Sequence, residues 1–174
     1  MHSRTAPILL ALLLLSPAAA RAQEASPACA IVDVVLPQPF AGWPPEANVG
    51  SAARGADLPA AGLAPGQAVR AALHPTPEIA YLVPPSKPAA PASQGGMLAL
   101  TITQAGVYAL AAGSSAWIDV LDGQTAVPST AHGHGPPCSS IHKVVDFPLH
   151  PGRYVIQISG APDPVVAIMV VRRP

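Results

Sequence analysis

Downstream of residue 66 the chain alternates between short apolar runs and short breaks. The runs are QAVRAAL, IAYLV, MLALTIT, VYALAA, AWIDVL, KVVDFPL, RYVIQIS and VVAIMVV. The breaks, among them HPTPE, PPSKPAAPASQGG, QAG, GSS, HPG and GAPDP, are rich in Pro, Gly and Ser. Eight short strands separated by turn signals predict an all-β domain over 66–174, an antiparallel β-sandwich of jelly-roll type. LALTITQAGVYALAA reads as a hairpin with Gly106 supplying the φ > 0 position of its turn, and DFPLHPGRYVIQIS repeats the design around Pro151-Gly152. The two align as a weak internal repeat. Gly106-Val107-Tyr108 followed by Leu110 and Ala112 matches Gly152-Arg153-Tyr154 followed by Ile156 and Ile158, with alternate residues on one face. Each tyrosine is expected to pack at the sandwich edge with its hydroxyl on a turn carbonyl.

Upstream, 23–65 is rich in Pro, Ala and Gly and shows neither period. CAIVDVVLPQPF offers one candidate strand, 31–36, and GWPPEANVGSAARGADLPAAGLAPG reads as an irregular covering loop anchored by Trp43. The first 22 residues have a different character. His2 and Arg4 precede an apolar run over 8–15, Ser16-Pro17 break it, and Ala20-Arg21-Ala22 close it. That is the pattern of a secretory signal peptide cleaved after Ala22, and the run is shorter than the roughly 20 residues of a spanning helix. Lipid attachment at Cys29 is disfavoured, because Ser26-Pro27-Ala28 lacks an aliphatic residue. A periplasmic or secreted protein with no transmembrane segment after cleavage is expected.

Composition sharpens this picture in three ways. The 23 prolines oppose the helices that so many alanines would otherwise favour. With two Trp, three Tyr and two Phe, the core must be built from Val, Ile, Leu and Ala. Cleavage would remove Arg4 and Arg21, leaving seven basic residues against nine acidic, a net charge of −2 with no basic cluster beyond Arg172-Arg173. Nucleic-acid binding requires a clustered basic footprint, so no such partner is expected. Cys29 and Cys138, carried into an oxidising compartment, are expected to form a disulfide across a loop of about 110 residues.

AGVYALAAGSSAWIDVLDG, AHGHGPPC and KVVDFPLHPGRYVIQISG together resemble a family of small exported bacterial proteins, some of which carry the name homogentisate 1,2-dioxygenase. The likeness runs from about residue 63 to 171. That name implies a ferrous-iron oxygenase holding its metal with two histidines and a glutamate; here the one acid in the histidine-bearing stretch STAHGHGPPCSSIHKVVDF is Asp146. The alternation of the two hairpins also looks like the β-sandwich modules appended to secreted proteases, which implies binding or assistance to secretion.

The candidate chemistry gathers around STAHGHGPPCSSIHKVVDF. His132 and His134 would share one face of an extended strand, and His142 could join them from the next, a set suited to Zn²⁺ or Cu²⁺. The competing reading makes Gly133, Gly135, Pro136 and Pro137 a turn, stapled by Cys138 to Cys29 and carrying histidines that bond locally. A second candidate pairs Trp117 with Asp119 on a strand face, as a glycan-binding surface would; the alternative places Trp117 in the core. Lys143 is expected to pair with Asp119 or Asp146 at the surface. None of the serines sits in a Gly-x-Ser-x-Gly elbow, and no catalytic residue is assigned. The expected function is therefore that of a non-catalytic accessory or binding protein of the cell envelope, with a glycan or an envelope protein as partner. A metal-binding protein built on His132-x-His134 ranks second, and the oxygenase third.

Overall fold

The computed structural model describes residues 29, 33, 35–43 and 45–174. The expected signal peptide, 1–22, lies outside them, as do Ile31, Val32 and Val34 of the candidate strand; Asp33, Val35 and Leu36 are not in a strand. Twelve strands follow: β1 Ala47–Gly50, β2 Gly62–Leu63, β3 Ala68–Ala72, β4 His74–Pro75, β5 Gln94–Ile102 and β6 Gly106–Ala112. The second half contributes β7 Trp117–Asp122, β8 Thr125–Ala126, β9 Ala131–Gly133, β10 Lys143–Leu149, β11 Gly152–Ala161 and β12 Val165–Arg172.

They form two six-stranded sheets. The first runs β1-β3-β12-β6-β10-β9; the second runs β2-β5-β11-β7-β8, with β4 also paired to β5. From β3 onward, successive long strands pass between the sheets, and the central order β3-β12-β6-β10 facing β5-β11-β7-β8 is that of a jelly roll. The all-β sandwich is as expected. Its purely antiparallel character is not, because β1 pairs parallel with β3 and β2 parallel with β5. Both of these extra strands come from the segment that showed no period.

The two hairpins are also different from expectation. β5 pairs with β11 and β6 with β10 and β12, so QAG joins opposite sheets and not neighbouring strands. HPG likewise carries the chain from β10 in the first sheet to β11 in the second. A tight turn and an arch between sheets use the same residue types, and local sequence does not separate them. Gly106 is not in the left-handed region, and the Arg172 side chain lies over it. Turn glycines with positive φ stand elsewhere, at Gly66 (φ 87°) between β2 and β3 and at Gly123 (φ 60°) between β7 and β8. The tyrosine repeat does hold. Tyr108 donates its hydroxyl to Gln104 O (2.8 Å) and Tyr154 to His150 O (3.1 Å), each reaching four residues back into its arch.

Between the sheets, alternate residues interdigitate: Leu98, Leu100, Ile156 and Ile158 from one side meet Leu110, Val145, Phe147 and Ile168 from the other. The outer faces are apolar as well. On the first sheet, Ala109, Ala111, Val144, Met169 and Val171 pack beneath Phe40 and Trp43, which belong to the N-terminal segment. Trp43, 2% exposed, is the anchor expected for that segment. On the second sheet, a proline-rich strap over 79–93 covers Gln157, which is 1% exposed. The Gln157 amide replaces a strand partner for this strap. Its Oε1 accepts from Leu82 N (3.0 Å) and Val83 N (3.4 Å), and its Nε2 donates to Val83 O (3.1 Å). Tyr81 adds a hydrogen bond to Ile158 O (2.8 Å). Among the described residues, no helix is long and apolar enough to cross a membrane.

Two outcomes follow from the strap. Replacing Gln157 by Leu leaves partly buried peptide groups of residues 82 and 83 without their partner, and should cost about 1 kcal/mol or more in urea denaturation, with earlier proteolysis within 82–93. Burial, helped by the nearby Asp119 carboxylate, raises the Tyr81 phenol from 10.0 to about 12. The fold thus favours the neutral phenol. That stabilisation is complete below pH 10 and is lost as pH rises toward 12, so Tyr81→Phe should flatten the alkaline fall in stability over this window.

Candidate functional site: a cavity at the open side of the sandwich

The sandwich closes poorly along one side, because its edge strands there are very short. β8 pairs only with Leu121 and Asp122, and Val127 N extends the contact to Val120 O (2.8 Å). The stretch of β7 from Trp117 to Asp119 therefore has β11 on one side and no strand on the other. Opposite, β9 covers β10 only from Val144 to Asp146. Between these edges lies a cavity of about 370 Å³. Ile118, Val127, Val145 and Phe147 are among its apolar lining residues, and Trp117, Lys143, His132, Ser86 and Ser129 are among the polar ones.

Period 2 explains who points inward. Lys143 shares the parity of Val145, Phe147 and Leu149, which face the core, so the first residue of β10 brings an amine to the cavity mouth. His132 lies in register with Val145 and takes the same face. Lys143 Nζ donates to Ala116 O (2.9 Å) and lies 5.3 Å from the Trp117 ring centroid. Lys87, from the strap, places its Nζ 5.6 Å from the same ring. Burial lowers the Lys143 pKa, and the positive charge of Lys87 lowers it further.

Asp119 stands on the other side of the indole and is already committed. Its carboxylate accepts from Ser86 N (3.0 Å), from the Ser86 hydroxyl and from Trp117 Nε1 (3.1 Å). Trp117 Nε1 also donates to Ser86 Oγ (2.7 Å), which completes a triangle between strap and strand. The expected Trp117–Asp119 surface is thereby divided: Asp119 is buried under the strap, while Trp117 is 38% exposed and outside the core. Neither expected ion pair of Lys143 forms. Asp146 lies three residues along a strand and so on the opposite face, where it binds Arg173 (3.0 Å).

The three histidines do not assemble. His134 and His142 approach edge to face with ring centroids 6.2 Å apart, and His134 Nδ1 lies 3.4 Å from His142 O. His132 turns instead toward the cavity, because β9 ends at Gly133 and His134 leaves the sheet. Among the described residues, no three His, Cys, Asp or Glu side chains gather to hold a metal. Cys138 is spent in the disulfide with Cys29, as expected. The loop is shaped as a staple. Cys138 takes a left-handed conformation (φ 59°), and Gly135 packs so tightly on Ile141 that no Cβ would fit. Asp33, also left-handed (φ 63°), accepts from Ser140 N (2.7 Å) and the Ser140 hydroxyl, while Trp43 Nε1 donates to Ser140 Oγ (2.8 Å).

Sequence reasoning missed the cavity and its strap residue Ser86, as well as Lys87, whose Nζ stands beside the Trp117 ring. One signal was present: Lys143 occupies an inward position of KVVDFPL, where a cation is out of place unless a site or an edge receives it. No protein-family model matches the chain, and no curated protein matches it.

Replacing both Cys29 and Cys138 by Ser would open a closure spanning 109 residues. The expected loss is up to about 4–5 kcal/mol, the chain-entropy limit, read as a lower urea midpoint; the untreated chain should show no free thiol by mass spectrometry.

Proposed function

We propose that the protein is an exported, non-catalytic binding protein of the cell envelope that takes a small, largely apolar molecule between its sheets. The observation that carries this reading is the cavity itself. Its volume of about 370 Å³ falls in the range of small-molecule sites, about 300–1,000 Å³, and its wall is largely aliphatic and aromatic with a few polar groups. Those groups are placed for recognition. Asp119, the carboxylate that could have served as a base, is held by three donors and serves to orient the indole. Export is supported by the disulfide, which persists in oxidising compartments, together with the signal-like pattern of the first 22 residues.

The two tryptophans provide the test. Trp117 stands at the cavity, whereas Trp43 is buried on the outer face of the first sheet. Titration of ¹⁵N-labelled protein with 1-decanol should move the Trp117 indole N–H resonance saturably, together with amides of Ile118, Val127 and Val145, and leave the Trp43 indole in place. Equal or absent movement of the two indoles would reject the cavity as a binding site.

A further inference from the structure

We propose that Lys143 captures the molecule taken by this cavity as an imine, so that the ligand is an aliphatic aldehyde held reversibly through its carbonyl carbon. The inference rests on the cavity reading above and adds the chemical class of the ligand and the atom that holds it.

Three observations meet at this side chain. First, the chain has two lysines, and their settings differ. Lys87 is exposed on the strap, whereas Lys143 is half-buried, stands at an inward position of β10 and lines the cavity with Val145 and Phe147. Second, among the described residues no carboxylate pairs with Lys143. The ion pairs present are Arg54–Asp57 and Arg173–Asp146, and Asp119 is occupied by Ser86 and the indole N–H. Desolvation beside an apolar wall and a neighbouring cation are the two conditions that turn a lysine into a nucleophile. Both act on Lys143, burial first and the charge of Lys87 second, and both lower its pKa. His132, which lines the same cavity, adds no negative charge to oppose them. Third, the nitrogen is already held in place. It donates to Ala116 O (2.9 Å) and lies 5.3 Å from the Trp117 ring centroid. An ammonium, a neutral amine and a protonated imine each keep an N–H for that carbonyl, and the two charged forms keep the attraction of the ring.

The step balances without an oxidant or a reductant. The ammonium gives up one proton, and the amine lone pair forms a C–N bond to the carbonyl carbon while an N–H proton passes to the carbonyl oxygen. The hydroxyl so formed takes up the proton first released and leaves as water, and the nitrogen lone pair closes the C=N bond. Ammonium plus aldehyde thus gives protonated imine plus water, and the reverse reaction releases the aldehyde unchanged.

A cavity of about 150 Å³ accepts benzene, so one of about 370 Å³ has room for the chain of octanal. The full chain is treated at neutral pH with octanal and cyanoborohydride, which fixes an imine as a secondary amine, and peptide mass spectrometry reads the extent at each lysine. Formaldehyde, too small to need the cavity, gives the baseline ratio of Lys143 to Lys87 labelling. Octanal should raise that ratio by about tenfold or more, the gain from burying roughly two methylene groups. Excess 1-decanol should suppress octanal labelling at Lys143 and leave Lys87 labelling unchanged. An octanal ratio no higher than the formaldehyde ratio, or Lys143 labelling that 1-decanol does not reduce, would overturn the imine. If 1-decanol then still moves the Trp117 indole resonance and not that of Trp43, the apolar cavity stands; if it does not, the cavity reading falls as well.

Discussion

The central strands of this sandwich are apolar on both faces, and two sheets packed together can hide only one face of each. The remaining apolar surface must be covered by chain that is not itself a sheet. Residues 35–43 and the strap over 79–93 do this, and their prolines suit the task. A covering segment without regular hydrogen bonds gains from residues that need no donor partner and have little backbone freedom to lose. The high proline content and the apolar runs are thus two sides of one solution.

A covering strap still has peptide groups to satisfy. On the second sheet the polar side chains that do so are set into neighbouring strands, Gln157 on β11 and Asp119 directly opposite it on β7. Each would be a costly buried polar residue in a bare sheet, and each becomes an anchor once the strap is laid across it. On the first sheet the same duty falls to Asp33 and Ser140, with the disulfide beside them. The two layers differ in chemistry and share a principle: irregular chain is held by a few side-chain contacts at high sequence separation.

This explains what was legible beforehand and what was not. Runs of Val, Ile, Leu and Ala between turn residues showed the long strands β3, β5, β6, β7, β10, β11 and β12 and the sandwich class. The run IAYLV, however, is part of the strap and not a strand, and the two-residue strands β4 and β8 lie outside every run. The long strands did not reveal their partners, because strands buried on both faces lose the alternation that would report a register. LALTITQAGVYALAA therefore looked like a hairpin when it is an arch. β1 and β2 were invisible because they are short and held by parallel pairing rather than by their own pattern. The disulfide was readable from two cysteines alone. The site was legible only in part: Trp117 and Asp119 were singled out, but Ser86 and Lys87 join them from a stretch of prolines about thirty residues away in sequence. The histidine cluster, so conspicuous in sequence, is divided between β9 and the stapled loop, and among the described residues no three possible ligands gather to hold an ion.

The triangle of Ser86, Asp119 and the Trp117 indole has a dynamic consequence. One edge of the cavity mouth belongs to the strap and the rest to the sheets, so the mouth exists only while the strap is seated. Sheet cores open only with global unfolding, whereas peripheral segments open at lower free energy. The pocket therefore has the lifetime of the outer layer and not of the core, and a molecule bound against Ser86 would be a brace that slows the strap's departure.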